Sequence, residues 1–324
     1  MKALLCKQFG LPDTLVVEEV ASTPPLAGEV HIRVRACGVN FADGLIVQGL
    51  YQVKPPFPFS PGAEIAGDVL AVGEGVSHIK VGQRVIGLVN WGGMAEEVNA
   101  PAQLTFPIAD DMPYAKAAAL SIAYGTAHVA LAHRGHLQVG QVLLVLGAAG
   151  GTGLAAVEIG KLMGATVIAC ASTPEKLALT RQYGADHTIN YSTEDLRDRI
   201  KAITNGRGVN VVYDPVGGLL TESCLRSLAW EGRLLIIGFT SGTIPQIPAN
   251  LPLLKNCSVI GVFFGGYALN QPDVLVDSLH TLLDWYNTGQ LKPPVTQTFP
   301  LAQAGEAIAS LLNRQATGKI VIEI

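Results

Sequence analysis

Two patterns of hydrophobic and polar positions run along this chain. In its first third, short alternating stretches are broken by Pro and Gly. Residues 29–36 read Glu-Val-His-Ile-Arg-Val-Arg-Ala, with Val30, Ile32 and Val34 on one face and His31, Arg33 and Arg35 on the other. That period of two predicts a half-buried strand. Similar stretches at 64–72 and 83–89, separated by Gly73, Gly75 and Gly82, extend the reading to an antiparallel barrel or sandwich with one wet face.

From Gln141 onward the pattern changes. Apolar, β-branched runs occupy 142–146, 166–170, 209–213, 233–237 and 258–263, with a weaker one at 187–190. The intervening segments 151–163, 174–183, 193–203 and 219–228 read as helices. Strands that are apolar at every position are buried on both faces, which implies a parallel sheet covered by helices. Six such strands complete a doubly wound sheet. Further helices at 273–287 and 302–313 and a strand at 319–324 are assigned back to the first domain. The expected fold class is therefore α/β: a β-rich domain over 1–124, completed by 266–324, and a doubly wound domain over 125–265.

Composition narrows the function. The 324 residues suit two domains. Charged residues are 15%, against a typical value of about 25%, so wide subunit contacts are expected. A net charge of −4 with no basic run excludes a phosphate-backbone binder and an anionic membrane surface. The uncharged stretches 117–132 and 138–157 are interrupted by His or Gly and are not continuous apolar spans. The opening Met-Lys-Ala-Leu-Leu-Cys-Lys is too short for a signal peptide, and the expectation is a soluble, cytosolic protein. Five cysteines at 6, 37, 170, 224 and 257, with no C-x-x-C, read as reduced thiols rather than a disulfide framework or a structural zinc site.

The chemistry sits first in a turn. The run 142–146 leads directly into Gly147-Ala-Ala-Gly-Gly-Thr-Gly153 and then into a helix. From Ala148 this reads A-x-G-G-x-G, a variant of the dinucleotide fingerprint. A turn without side chains lets backbone N–H groups and a helix N-terminus meet a pyrophosphate. The βαβ context is what gives the motif its meaning. NAD sites place an acid at the end of the second strand to hold the ribose. Here that place holds Ser172, with Glu175 already in the next helix and Lys176 beside it. A small hydroxyl and a cation suit a 2′-phosphate, with Tyr191 as a further donor, so NADP(H) is expected over NAD(H).

With these residues in hand, the chain resembles the medium-chain dehydrogenase/reductase superfamily and, within it, the zinc-free NADPH:quinone oxidoreductases related to zeta-crystallin. The resemblance runs over nearly the whole chain. It is carried by Gly38-Val-Asn-Phe-Ala-Asp43, Gln48-Gly-Leu-Tyr51, Pro58-Phe-Ser-Pro-Gly-Ala-Glu64, Tyr124-Gly-Thr-Ala127, the turn 147–153, Tyr213-Asp-Pro-Val-Gly-Gly218 and Thr317-Gly-Lys-Ile-Val321. It implies a GroES-like catalytic domain, a Rossmann domain and a nicotinamide held in a cleft between them. Zinc-dependent members carry Cys where Asn40 stands and His where Ala63 stands, so no metal is expected, although Glu64 remains. His133-x-x-His136, the one close His pair, reads as the exposed end of a helix.

The resemblance also implies site residues. Asn40, Thr126, Gly150, Gly151, Thr152, Ser172, Lys176 and Tyr191 would line the cofactor. Gly238, Phe239 and Thr240, with Phe263, Phe264 and Gly265, would frame the nicotinamide, and Arg314 and Lys319 would close over the phosphates. Tyr51 would donate to the acceptor carbonyl, or else be an aromatic packed beside Pro55-Pro56. Asn40 and Asp43 would hold the loop or the ribose. The implied activity is hydride transfer from NADPH to a quinone by a homodimer. A 2-alkenal or enoyl-CoA/acrylyl-CoA reductase and a non-catalytic NADPH-binding protein are the alternatives.

Overall fold

The computed structural model describes all 324 residues. Its fifteen strands are β1 (Lys2–Leu5), β2 (Val16–Glu19), β3 (Glu29–Val39), β4 (Glu64–Val72), β5 (Arg84–Leu88), β6 (Glu97–Pro101), β7 (Thr105–Pro107), β8 (Val142–Val145), β9 (Thr166–Ala171), β10 (His187–Asn190), β11 (Val209–Asp214), β12 (Leu228–Ile236), β13 (Ser258–Gly261), β14 (Val295–Pro300) and β15 (Lys319–Glu323). The chain forms two compact units, Met1–Ala123 with Lys292–Ile324, and Tyr124–Leu291.

In the first unit, β14, β15, β3, β4, β5 and β7 lie side by side, with β6 also paired to β3. The period of two in β3 has its expected result: Val30, Ile32 and Val34 are buried while Arg33 and Arg35 are exposed. Ile65, Val85, Met94, Ile320 and Ile322 complete that core. β15 is antiparallel to the C-terminal half of β3, pairing Ile320 with Val39 and Ile322 with Cys37. This register places Lys319, at the start of β15, near the end of β3 and the loop that follows it.

The second unit holds a six-stranded parallel sheet in the order β10-β9-β8-β11-β12-β13. The order reverses direction at β8, where ligands bind in open α/β sheets. Leu143, Leu144, Val145, Val167, Ile168, Val211, Val212, Leu234 and Leu235 are all fully buried, as strands covered on both faces require.

Two features depart from the sequence expectation. The chain rejoins the first unit at Lys292 rather than near 266. Helix Pro272–Asn287 buries Leu275, Leu279, Leu282 and Leu283, its Ser278 hydroxyl lies 2.9 Å from His128 Nδ1, and Trp285 meets the His128 ring edge-on. Those contacts keep the segment with the second unit. Helices Asn250–Lys255 and Phe264–Asn270 and a π-helical stretch Val129–Arg134 also interrupt regions read as loop or left unassigned. No helix is long and apolar enough to cross a membrane.

Candidate active site

A buried polar cluster forms at the end of β3 in the first unit. Asn40 precedes helix Phe41–Val47, and its backbone N–H donates to Asp43 Oδ2 at 2.7 Å. The other Asp43 oxygen accepts the Gly62 N–H at 3.2 Å. The Asn40 amide is held at both ends: its Nδ2 donates to Glu64 Oε1 at 2.8 Å, and its Oδ1 accepts from the Lys319 ammonium at 2.6 Å. Lys319 is also ion-paired with Glu64, whose other oxygen takes the Ile122 N–H at 2.7 Å. Asp43, Glu64 and Lys319 are all buried. Buried charges persist when paired and hydrogen-bonded, as here.

The electrostatics follow from that burial. Asp43 is pushed up to about 6 by desolvation, against the pull of the Asn40 N–H and the Lys319 charge. The Cys37 thiol is pushed far up, first by burial and then by the Asp43 and Glu64 carboxylates. Tyr51 is raised by burial and then by Asp43, which keeps the phenol protonated at neutral pH. Its ring packs on the cluster of Cys6, Ile46, Val47 and Phe59.

The second unit carries most of the remaining candidates after the C-terminal ends of its strands, with Thr126 on a helix, while Arg314 belongs to the first unit. After β8, Gly147 takes a φ of 57°, and Gly150 leads into helix Gly151–Leu162. A Cβ on Gly153 would collide with Gly147 O and lie 2.8 Å from Ala148 Cα, so only glycine fits where the helix crosses the turn. Gly150 meets only Gly147 O, at 3.4 Å. The N-terminus of such a helix is where backbone N–H groups and the helix dipole favour an anion. The Thr152 hydroxyl is hydrogen-bonded to the buried Tyr213 hydroxyl, which ties the first turn of the helix to β11.

Ser172 follows β9, and the Thr173 hydroxyl caps helix Pro174–Gln182 by accepting the Lys176 N–H at 3.3 Å. Tyr191 follows β10, its N–H donating to Ala171 O. The loops after β11 and β12 are laced together, with Thr240 N–H donating to Pro215 O and Ser241 N–H to Val216 O. Asp214 organises the first of them through the Val216 and Gly217 N–H groups and the Thr221 hydroxyl at 2.6 Å. Gly238, Phe239 and Thr240 sit in the second. Phe263 is 54% exposed after β13, and Gly265 is exposed, whereas the Phe264 ring is buried over Gly125. Thr126 is buried in helix Ser121–His128.

The side chains thus divide. Asn40, Asp43 and Lys319 come together, with Glu64 joining them. Lys319 differs from its expectation: its ammonium neutralises Glu64 inside the first unit instead of standing ready for a phosphate. Arg314 is exposed, in a left-handed conformation after helix Ala304–Leu312. Phe264 is a packing residue. Tyr213 and Asp214, to which the sequence reading gave no role, are the buried props of the strand-end loops, and the motif around Gly217-Gly218 was their signal.

A zinc ion does not fit the donors present. No group of three or more His, Cys, Asp or Glu side chains comes together to hold a metal, and Glu64 is neutralised by Lys319. NADP(H) fits: the glycine turn would receive the pyrophosphate, with Ser172, Lys176 and Tyr191 at the neighbouring strand ends.

Comparison with known proteins agrees with this architecture. The GroES-like domain of alcohol dehydrogenase matches residues 26–110, and the zinc-binding dehydrogenase domain matches residues 151–281. The quinone oxidoreductase-like protein 2 homolog of Nematostella vectensis is 43% identical, over 99% of this chain and 88% of that protein. Escherichia coli quinone oxidoreductase, solved with NADPH, matches with a TM-score of 0.94 at 30% identity over all of both chains. A mycobacterial structure, also with NADPH, matches at 0.93 and 31%, again over all of both chains. Its fold, its glycine turn and these likenesses place this chain in the medium-chain dehydrogenase/reductase superfamily, within the zeta-crystallin-like quinone oxidoreductases, an NADP(H)-binding family of oxidoreductases.

Proposed function

We propose that this chain is an NADPH-dependent reductase that delivers a hydride to a quinone without a metal ion. The observation that carries the reading is the Gly147–Gly153 turn, backed by a second strand, β9, that is followed by Ser172 and Lys176 rather than by a ribose-binding acid at its end. The two NADPH-bound relatives support the same cofactor here.

When bound, NADPH supplies the hydride. The N–H groups at the start of helix Gly151–Leu162 would hold its pyrophosphate, and Lys176, with Ser172 and Tyr191, would meet the 2′-phosphate. Gly238, Phe239 and Thr240, with Phe263 and Gly265, would frame the nicotinamide. Asn40, its amide fixed by Glu64 and Lys319, presents one defined orientation to the ligand. Tyr51 donates its phenolic hydrogen to the acceptor oxygen. A quinone needs no more than this, because two-electron reduction gives a stabilised phenolate that water can protonate.

The test is NADPH consumption with quinones, 2-alkenals and enoyl thioesters, comparing wild type with Tyr51→Phe by kcat/KM. Quinones are expected to be the best acceptors, and Tyr51→Phe to lose only a few-fold on them. An enone or thioester would need its enolate stabilised, and removal of one such donor costs about 10²–10³ in rate. A loss of that size on quinones contradicts the proposal.

The proposal includes a homodimer. β13 is an unpaired edge of the parallel sheet, its Ser258, Val259 and Gly261 exposed, and the helix before it exposes Leu253 and Leu254. Such an edge invites pairing with a second copy.

A further inference from the structure

We infer that the acceptor carries an apolar tail, and that a groove in the first unit formed by Phe9, Leu11 and Leu50 receives it. The inference rests on the reading of a quinone acceptor and specifies its class.

Two loops build the groove. Gly10 N–H donates to Val47 O at 3.1 Å, which joins the loop after β1 to the end of helix Phe41–Val47. Gly49 turns the chain with a φ of 70°, and a Cβ there would lie 2.9 Å from the Phe9 ring, so the ring rests on bare backbone. A depression of about 250 Å³ results, lined by Phe9, Gly10, Leu11, Gln48 and Leu50, with no charged group. Leu11 is 60% exposed and Leu50 68%, with Phe9 and Phe57 also exposed. A single exposed leucine needs no explanation, but a contiguous apolar patch does.

The patch leads to the residue assigned to the acceptor. Phe9 meets Phe57 edge-on at 4.7 Å, Phe57 stacks on Phe59 at 5.7 Å, and Tyr51 packs on the cluster containing Phe59. Leu50 adjoins Tyr51 in the chain. A ring hydrogen-bonded to Tyr51 would therefore extend its substituent along hydrocarbon. The uncharged lining favours an alkyl or prenyl chain over a coenzyme A thioester, whose nucleotide phosphates would need cations.

The experiment compares a benzoquinone bearing a ten-carbon alkyl chain with the same quinone lacking it. Affinity is read by titration calorimetry without NADPH, and kcat/KM by NADPH consumption, for wild type and for the double variant Leu11→Ser/Leu50→Ser. Each buried methylene strengthens binding about fourfold. Wild type is expected to bind the tailed quinone at least about tenfold more tightly, a margin that two buried methylenes would supply. The double variant should bring the two quinones close to parity while leaving the tail-less one unchanged. Equal affinities in wild type, an equal loss for both quinones, or a variant that changes only the oligomeric state would each overturn the inference. Turnover of the tail-less quinone without tail preference leaves the acceptor assignment standing and removes the groove. Failure to reduce either quinone removes the acceptor assignment, while the titration still decides whether the groove binds the tail.

Discussion

At Asp43 two effects pull in opposite directions. Burial pushes its carboxyl up to about 6, while the Asn40 N–H and the Lys319 charge pull it back. A carboxyl whose folded value lies above its unfolded value near 3.9 binds its proton more tightly when folded. Its stabilising contribution is therefore complete below about pH 4 and is lost as the pH rises through about 6. The two-unit difference corresponds to at most about 3 kcal/mol. Urea unfolding of wild type and Asp43→Asn from pH 4 to 7.5 should show the wild-type advantage shrinking as the pH rises; a constant or growing advantage contradicts the assignment. The residues around Asp43 also show where sequence reading stops. Asn40, Asp43 and Glu64 were recognisable from motif positions. The use of Lys319 was not, because its partner Glu64 lies 255 residues earlier and the antiparallel pairing of β15 with β3 unites them only in the folded chain.

Among the elements, the strand–turn–helix at β8 is the one most fully written in local sequence. Continuous apolar runs located the central parallel strands β8, β9, β11 and β12, because burial on both faces leaves no polar alternation to confuse them, whereas the edge strands β10 and β13 are only partly covered and β10, His-Thr-Ile-Asn, gave the weaker run. The glycines of the turn are not equivalent. Gly153→Ala should destabilise the protein by about 1–3 kcal/mol and abolish NADPH binding, because its methyl must displace backbone of the turn itself. Gly150→Ala keeps a normal φ of −79° and an ordinary contact, so it should fold as wild type does. Thermal unfolding and NADPH titration of both variants check this, and equal behaviour of the two would contradict the cradle geometry. Helix Phe264–Asn270 escaped the sequence reading because its Gly-Gly-rich start has low helix propensity; the Phe264 ring seated over Gly125 supplies the tertiary support. Helix Pro272–Asn287 was legible as a helix, but its allegiance to the second unit depended on long-range contacts with His128.

For the whole molecule, the change from alternating to continuous apolar strands marked the two domains, since each pattern states how many faces of its sheet are covered. It did not mark the return at Lys292: Gly289 and Pro293-Pro294 announce a loop there, but only the contacts of helix Pro272–Asn287 decide to which unit the preceding helix belongs. The proposed dimer follows from the uncovered edge at β13. Val259→Lys should convert a dimer to a monomer in sedimentation or light-scattering measurements, and a monomeric wild type would remove the dimer from the account. The central claim is metal-free reduction of a quinone by NADPH, with Lys176 reading the 2′-phosphate. Its most direct test is kcat/KM for NADPH and for NADH with one quinone acceptor, on exhaustively chelated protein of measured metal content, in wild type and Lys176→Ala. A charge-assisted bond to the phosphate is worth about 1.5–3 kcal/mol, so NADPH should be preferred about tenfold or more, with full activity at substoichiometric metal and the preference lost in the variant. Equal use of the two cofactors, or activity that leaves with one tightly held zinc per chain, would contradict it.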